Sequence, residues 1–137
     1  MDVIHLRRKT LNKSLLYVED NDSLRSLKID IFRDIFENVE YAVNGLEGLE
    51  KYKKSNFDLV ITDINMPVMD GLDMIEGINA LNSSQPIIIL SAYSKKEYVS
   101  RLKKLKFHSF LSKPIEIKRL IESIDSSLEN EEEYSTV

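Results

Sequence analysis

Three short apolar runs and two more mixed segments, separated by stretches with helical periodicity, constrain the fold of this chain more than any other feature. The most strongly apolar run is Ile87–Leu90, and a proline precedes it. Runs of this length that are bounded by polar turn residues are typical of strands buried on both faces of a sheet. The sequence therefore predicts five β-strands, at residues 15–18, 39–43, 59–62, 87–90 and 107–111.

The segments between these runs carry apolar residues at helical spacing. Asp22 or Ser23 is the predicted N-cap of the first helix, and the basic segment Lys95–Lys106 is only weakly amphipathic. The predicted apolar stripes are Leu24, Leu27, Ile31 and Ile35; Leu46, Leu49 and Tyr52; Leu72, Ile75, Ile78 and Leu81; Val99, Leu102 and Leu105; and Ile117, Leu120, Ile121, Ile124 and Leu128. Strands that alternate with helices predict a doubly wound α/β fold with a parallel sheet.

Right-handed crossover connections leave few strand orders for such a chain, and 2-1-3-4-5 is the favoured one. In that order the first and third strands are neighbours where the winding reverses. Ligands of such sheets bind outside the carboxyl ends of the strands at this point. The residues that directly follow these two strands are therefore expected to lie in one cleft.

The length of 137 residues is that of one domain. We expect a leader or linker at residues 1–13, the domain at 14–130 and an acidic flexible tail at 131–137. With no cysteine there is neither a disulfide framework nor a thiolate metal site. The formal net charge of −4 argues against direct nucleic-acid binding, and no apolar run approaches the roughly 20 residues that span a membrane. We expect a cytoplasmic protein without a membrane contact.

Acidic side chains follow two of the predicted strands. Glu19 and Asp20 come after the first strand, and Asp63 ends the third. Carboxylates crowded in one cleft repel each other, so we expect raised pKa values or a bound cation, and hard oxygen donors suit Mg²⁺. Ser91 and Lys113 end the fourth and fifth strands. A metal ion, a hydroxyl and an ammonium group around one carboxylate would surround a phosphoryl group attached to it.

With these motifs in order, the chain resembles the receiver domains of response regulators in two-component signalling, of the chemotaxis-receiver type. The resemblance covers about Lys13 to Glu129 and selects the flavodoxin-like (β/α)5 fold with order 2-1-3-4-5. The motifs that carry it are Glu19-Asp20; Asp63-Ile64-Asn65-Met66-Pro67 with Asp70-Gly71; Ser91-Ala92; and Lys113-Pro114.

The resemblance implies that Asp63 is a phosphoacceptor, which takes a phosphoryl group from a sensor histidine kinase or a phosphotransfer protein. It also implies a bound Mg²⁺, for which Mn²⁺ could substitute. Asp20, Asp63 and the main-chain carbonyl of Asn65 would hold this ion directly, and Glu19 would act through water.

Further roles are implied at the ends of the last two strands. Lys113 would pair with the acyl phosphate, and its bond to Pro114 would be cis. Ser91 and Ala92 would contact the phosphate, and Ser91 and Phe110 would form a switch. The domain would catalyse only its own phosphorylation and slow dephosphorylation. It would then signal to an output domain or protein that the sequence does not identify.

Some residues depart from the family pattern or have a simpler explanation. Lys106-Phe107 stands where the family often has Gly-Ala, which leaves the end of the preceding helix undefined. Asp58 and Asp70 are expected to be turn residues rather than ligands. His108 is expected to be on the surface or hydrogen-bonded rather than to bind a metal.

Three alternatives share the fold. A Mg²⁺-dependent aspartyl-phosphate phosphatase of the haloacid-dehalogenase type would carry a second acid two residues after its nucleophile, where this chain has Asn65. A flavodoxin-like redox module would place a flavin phosphate against Glu19 and Asp20, which would repel it. The third alternative is a receiver-like binding module that is never phosphorylated.

Overall fold

The computed structural model describes the backbone of residues 3–135 and the side chains of residues 4–129. The strands are β1 (Ser14–Val18), β2 (Asn38–Ala42), β3 (Leu59–Asp63), β4 (Ile87–Ser91) and β5 (Ser109–Ser112). The α-helices are α1 (Val3–Thr10), α2 (Asp22–Ile35), α3 (Gly45–Lys54), α4 (Gly71–Leu81), α5 (Val99–Leu102) and α6 (Ile117–Ser135), and a 3-10 turn, Lys95–Tyr98, precedes α5. No helix among the described residues is long and apolar enough to cross a membrane.

The five strands form one parallel sheet in the order β2-β1-β3-β4-β5, which confirms the predicted topology. Leu15 on β1 lies opposite Leu59 on β3, and Asp63 lies opposite Leu90 on β4. The carboxyl ends of β1 and β3 are therefore neighbours at one edge of the sheet.

Helices cover both faces of the sheet. One apolar cluster joins residues of α1, α2 and α6 to β1, β3, β4 and β5, and a second joins α3, α4 and α5 to the opposite face. Side chains on both faces of β3 and β4 are buried, from Leu59 to Thr62 and from Ile87 to Ser91. This double coverage explains why both strands are continuous apolar runs in the sequence.

The predicted apolar stripe of α2 is wrong at its first two positions, since Leu24 is 40% exposed and Leu27 is 66% exposed. The buried residues of α2 are Ile29, Phe32 and Ile35. The ring of Phe32 packs edge-on against Tyr17, with 5.0 Å between the ring centroids. The residues of α2 offer two possible apolar faces, one with Leu24 and Leu27 and one with Ile29 and Phe32. The contact between Phe32 and Tyr17 on β1 determines that the second face packs against the sheet.

The N-cap of α2 also differs from the prediction of Asp22 or Ser23. The cap is Asn21, whose side chain accepts a hydrogen bond of 3.0 Å from the backbone N–H of Leu24. The cap lies one residue earlier because the extended loop after β1 ends at Asn21, and any of these short polar side chains can accept from a helix N-terminus.

The leader predicted at residues 1–13 instead contains the helix α1. Leu6 is fully buried in the cluster that α1 shares with α2 and α6. The Thr10 hydroxyl donates a hydrogen bond to a main-chain carbonyl at the end of α2, and the Lys9 ammonium lies 2.8 Å from the Asp125 carboxylate on α6. Leu6 is buried whereas the neighbouring Ile4 is exposed, so the sequence shows no clear apolar stripe there.

The basic segment Lys95–Lys106 does not form the continuous helix that was predicted. It consists of the 3-10 turn, the four-residue helix α5 and an irregular end, and Leu102 is its one fully packed residue. The Asn79 side chain accepts a hydrogen bond from the Lys106 N–H at 2.8 Å and donates one to the Lys106 carbonyl at 3.0 Å. These bonds with α4 fix the end of the segment without a glycine.

The acidic tail predicted at residues 131–137 belongs to α6 as far as Ser135. Residues 136 and 137 lie outside the described residues, as do residues 1 and 2. The extent of the domain at residues 14–130 stays a prediction.

Candidate functional site

Three carboxylates meet at the carboxyl edge of the sheet. Glu19 and Asp20 follow β1, Asp63 ends β3, and one carboxylate oxygen of each residue lies within 4.8 Å of the others. Glu19 is only 2% exposed, whereas Asp20 is open to solvent. The strand order therefore brings together the acidic residues that the sequence analysis had grouped.

The Lys113 ammonium enters this cluster from the end of β5. Its Nζ lies 2.8 Å from Oδ2 of Asp63 and 3.8 Å from Oε1 of Glu19. The backbone N–H of Lys113 donates a hydrogen bond to the carbonyl of Ser91, and the bond from Lys113 to Pro114 is cis, as the resemblance implied. One ammonium group thus faces two carboxylates that are largely shielded from water.

The electrostatics of Glu19 follow from this crowding. Burial is the main cause that raises the pKa of its carboxyl group, and the negative charge of Asp63 adds to it. The Asn21 N–H, 3.1 Å from Oε2, and the Lys113 ammonium act in the opposite direction. The raised pKa expected for crowded acids is thus confirmed at Glu19. Such a site gains from an added positive charge.

The donor set fits a hard divalent cation. The clustered ligand atoms are all carboxylate oxygens, and among the described residues no imidazole or thiolate joins the group. Mg²⁺ is usually held by one or two carboxylates and keeps room for water or phosphate oxygens. Glu19, Asp20 and Asp63 could hold such an ion. The participation of the Asn65 carbonyl stays a prediction.

The loop after β3 fixes the Asp63 carboxylate. The Ile64 N–H donates to Oδ1 of Asp63 at 2.8 Å, and the Gly71 N–H donates to the Ile64 carbonyl at 2.8 Å. A Cβ atom placed on Gly71 would lie 2.0 Å from the main-chain oxygen of Asp63. Only glycine allows α4 to begin this close to the end of β3.

Ser91 lies at the end of β4, one residue beyond the partner of Asp63 in the sheet register. Its side chain is buried, and its hydroxyl oxygen accepts a hydrogen bond of 3.0 Å from the Tyr93 N–H. That bond leaves the Ser91 proton available for donation. Ala92 is exposed beside it. Both residues therefore lie at the same sheet edge as the acids, as predicted.

Phe110 is half-buried on β5 and packs against the cluster of α3, α4 and α5. Its ring centroid lies 6.4 Å from that of Tyr98 in the 3-10 turn. The Tyr98 hydroxyl accepts a hydrogen bond of 3.1 Å from the side-chain amide of Asn65, two residues after Asp63. Tyr98 thus connects Phe110 to the loop after Asp63, a role that its position in the sequence does not indicate.

Two further cations near the acids were also missed. An Arg25 Nη donates to the main-chain carbonyl of Glu19 at 2.9 Å, and the guanidinium lies 5.0 Å from the centre of the Tyr41 ring. Burial, and then the like charge of Lys113, lower the pKa of Lys28. Arg25 and Lys28 share one face of α2 with Phe32, and that spacing is the only sequence signal that could have identified them.

The remaining polar candidates have structural partners, as expected. Asp70 caps α4 and pairs with the Arg101 guanidinium at 2.9 Å, while the Asp58 carboxylate accepts from the backbone N–H of Ser14. The imidazole of His108 lies 2.7 Å from the Ser126 hydroxyl, and burial lowers its pKa.

Comparison with known proteins agrees with this architecture. The family model of the response regulator receiver domain matches residues 15–125. The chemotaxis protein CheY-3 of Vibrio cholerae is 31% identical over 121 residues, which are 86% of this chain and 93% of that protein. The chemotaxis protein CheY of Bacillus subtilis is 34% identical over 115 residues, which are 83% of this chain and 96% of that protein.

A solved structure is similar as well. The response regulator protein TrrA of Thermotoga maritima, crystallised in complex with Mg²⁺ and BeF, superimposes with a TM-score of 0.74 at 32% identity. The superposition covers 84% of this chain and 98% of that chain.

Proposed function

Because the chain belongs to the response-regulator receiver domain family, we propose that Asp63 is its phosphoacceptor, which receives a phosphoryl group from a phosphohistidine in a Mg²⁺-dependent reaction. The observation that carries this proposal is the position of Asp63. Its carboxylate lies beside two further acids and 2.8 Å from the Lys113 ammonium, at the strand-order reversal of the sheet.

The transfer itself needs little covalent chemistry from the protein. A lone pair of the Asp63 carboxylate attacks phosphorus, the new P–O bond forms, and the P–N bond to the donor histidine breaks with its electron pair leaving on nitrogen. The Ile64 N–H and the Lys113 ammonium hold the carboxylate before the reaction. A bound Mg²⁺, which Glu19, Asp20 and Asp63 would hold, would neutralise charge on the phosphoryl oxygens.

The residues at the ends of β4 and β5 would then contact the phosphoryl group and change their arrangement. The Lys113 ammonium would pair with the phosphoryl group, and the buried Ser91 hydroxyl would donate a hydrogen bond to one of its oxygens beside Ala92. Phe110 would move inward behind Ser91, which would alter the face around the 3-10 turn. Added charge at a fixed point that biases two arrangements of neighbouring side chains is the usual basis of such switches.

The proposed partners are a sensor histidine kinase or a phosphotransfer protein upstream, and an output domain or protein downstream. The chain would catalyse only its own phosphorylation and slow dephosphorylation. Asn65 argues against the phosphatase alternative, because its side chain is an amide that donates to Tyr98 and cannot act as a general acid for a leaving group.

The test is covalent labelling by a small donor. We expect that incubation with Mg²⁺ and acetyl phosphate or phosphoramidate adds one phosphoryl group, detected by intact-protein mass spectrometry. Asp63→Asn should abolish the addition. Asp58→Asn is the matched control, because Asp58 also adjoins β3 but bonds Ser14 at the far end of the strand, and it should label normally. A folded wild-type protein that is never labelled, or equal labelling of Asp63→Asn, would refute the proposal.

A further inference from the structure

A buried hydroxyl beneath the acidic cluster has no hydrogen-bond partner. Tyr17 is 0% exposed, and its Oη contacts no donor or acceptor among the residues that the structure describes. Buried polar groups are nearly always paired, since an unpaired one loses its bonds to water without compensation. An unpaired phenol next to a reactive site therefore calls for a functional explanation.

The phenol lies on the same side of the sheet as Glu19. Tyr17 is on β1 and Glu19 directly follows the strand, two residues later, so alternation along the chain places both side chains on one side. Phe32 packs edge-on against the ring of Tyr17 and holds it in place. Burial first, and then the negative charges of Glu19 and Asp63, raise the pKa of the Tyr17 hydroxyl. The group therefore stays protonated, and both acids lie within its electrostatic reach.

In the resting site the Glu19 carboxylate has other contacts. Its Oε2 accepts from the Asn21 N–H at 3.1 Å, and its Oε1 lies 3.8 Å from the Lys113 ammonium. If Asp63 carries a phosphoryl group, that group attracts the Lys113 ammonium. Oε1 of the nearly fully buried Glu19 then loses its contact with the Lys113 ammonium, and a donor is needed for the carboxylate oxygen that does not face the cation.

We propose that Tyr17 is a positioning residue of the phosphoacceptor site, whose buried hydroxyl donates a hydrogen bond to the Glu19 carboxylate when the site is loaded. The inference rests on the proposed function, since the loaded state is what turns Lys113 away from Glu19. The hydroxyl then holds Glu19 towards the cation that this acid helps to bind. Because both side chains lie on one side of the sheet, a shift of the Glu19 side chain towards Tyr17 would make the bond.

Tyr17→Phe tests the proposal, because it removes only the hydroxyl. The probe is Mg²⁺ with beryllofluoride, a phosphoryl mimic, and the readouts are its affinity by isothermal titration calorimetry and the melting temperature of the metal-free protein. We expect about tenfold weaker binding of beryllofluoride, the size of a lost hydrogen bond to a charged group. The melting temperature of the metal-free protein should stay equal or rise, because an unpaired buried hydroxyl is removed.

Tyr52→Phe is the matched control. Its hydroxyl bonds the Gln85 side chain at 2.9 Å, outside the phosphoacceptor site. This variant should lower the melting temperature and leave the beryllofluoride affinity unchanged. A purely structural role for Tyr17 would give the same result as Tyr52, so the opposite signs of the two readouts identify the positioning role.

The outcomes separate the inference from the function on which it rests. If the wild-type protein binds beryllofluoride and Tyr17→Phe binds it equally well, the inference is overturned and the proposed function stands. If metal-free Tyr17→Phe melts at a lower temperature than the wild-type protein, as is expected of Tyr52→Phe, the hydroxyl already has a hydrogen-bond partner in the metal-free state, such as a buried water molecule. The inference is then also overturned. If the folded wild-type protein binds no beryllofluoride, the proposed function itself fails.

Discussion

Lys113→Met removes the positive charge at the acidic cluster while keeping most of the side-chain volume. The ammonium lies 2.8 Å from Asp63, and the two side chains are 21% and 13% exposed. At an effective dielectric constant of about 20, this separation corresponds to a gross attraction of about 6 kcal/mol. Desolvation of the ammonium and partial exposure offset most of it, so we expect a net loss of about 2 kcal/mol in metal-free protein.

Mg²⁺ should reverse this loss. The Lys113 ammonium repels a cation bound to the same carboxylates, so its removal should tighten Mg²⁺ binding even though it weakens the interaction with a phosphoryl group. Metal-free Lys113→Met should melt about 6 °C below the wild-type protein at about pH 8. Millimolar Mg²⁺ should then raise its melting temperature by more than that of the wild-type protein.

The assay is thermal unfolding followed by circular dichroism, with and without Mg²⁺. Lys118→Met, at an exposed lysine on α6, is the control and should melt like the wild-type protein in both conditions. The reasoning is refuted if metal-free Lys113→Met is as stable as the wild-type protein. It is also refuted if Mg²⁺ stabilises both proteins equally, because the ammonium and the cation would then not share the same carboxylates.

Three shorter predictions concern other parts of the molecule. In the folded protein the pKa of Glu19 lies above its ordinary value of 4.5, so the folded state keeps this proton to a higher pH than the unfolded chain does. The free energy of unfolding of the metal-free protein should therefore fall as the pH rises from about 4.5 through the raised pKa. Glu19→Gln should flatten that decline in chemical denaturation, and an unchanged slope would contradict the assignment. Gly71→Ala forces a Cβ against the Asp63 carbonyl, so we expect a loss of about 3 kcal/mol and little phosphoryl labelling, whereas normal stability and labelling would show that the loop adapts. Leu6→Ala should cost about 3 kcal/mol and the exposed control Ile4→Ala almost nothing, while equal effects would mean that α1 does not share the core.

The fold was predictable because a parallel sheet imposes its own pattern on the sequence. Strands covered on both faces must be apolar throughout, and each must end where the chain turns to its crossover helix. Asp63, Ser91 and Lys113 are the residues at or next to those ends. Once the strand order was predicted, the backbone alone placed these three residues at one edge of the sheet, whereas their individual roles came from the resemblance to receiver domains.

The faces of the helices were less predictable. In α2, the series that contains Leu27 and the series that contains Phe32 have similar spacing, and the contact of Phe32 with Tyr17 decides between them. That contact joins residues of two different elements, so the periodicity of α2 alone does not predict it. The helix α1 was missed for the same reason, since its anchor Leu6 gains its energy from residues on α2 and α6.

The 3-10 turn provides a contact near the site that also depends on packing between elements distant in the sequence. Phe110 on β5 has no hydroxyl, so its own side chain can make no polar link to the site. The Tyr98 hydroxyl, from a different element, makes that link with Asn65 while its ring contacts Phe110. Groups that strands deliver can thus be predicted from their order in the sequence. Groups that turns and helices carry depend on packing, so Arg25 and Tyr98 could be assigned only after the elements were assembled.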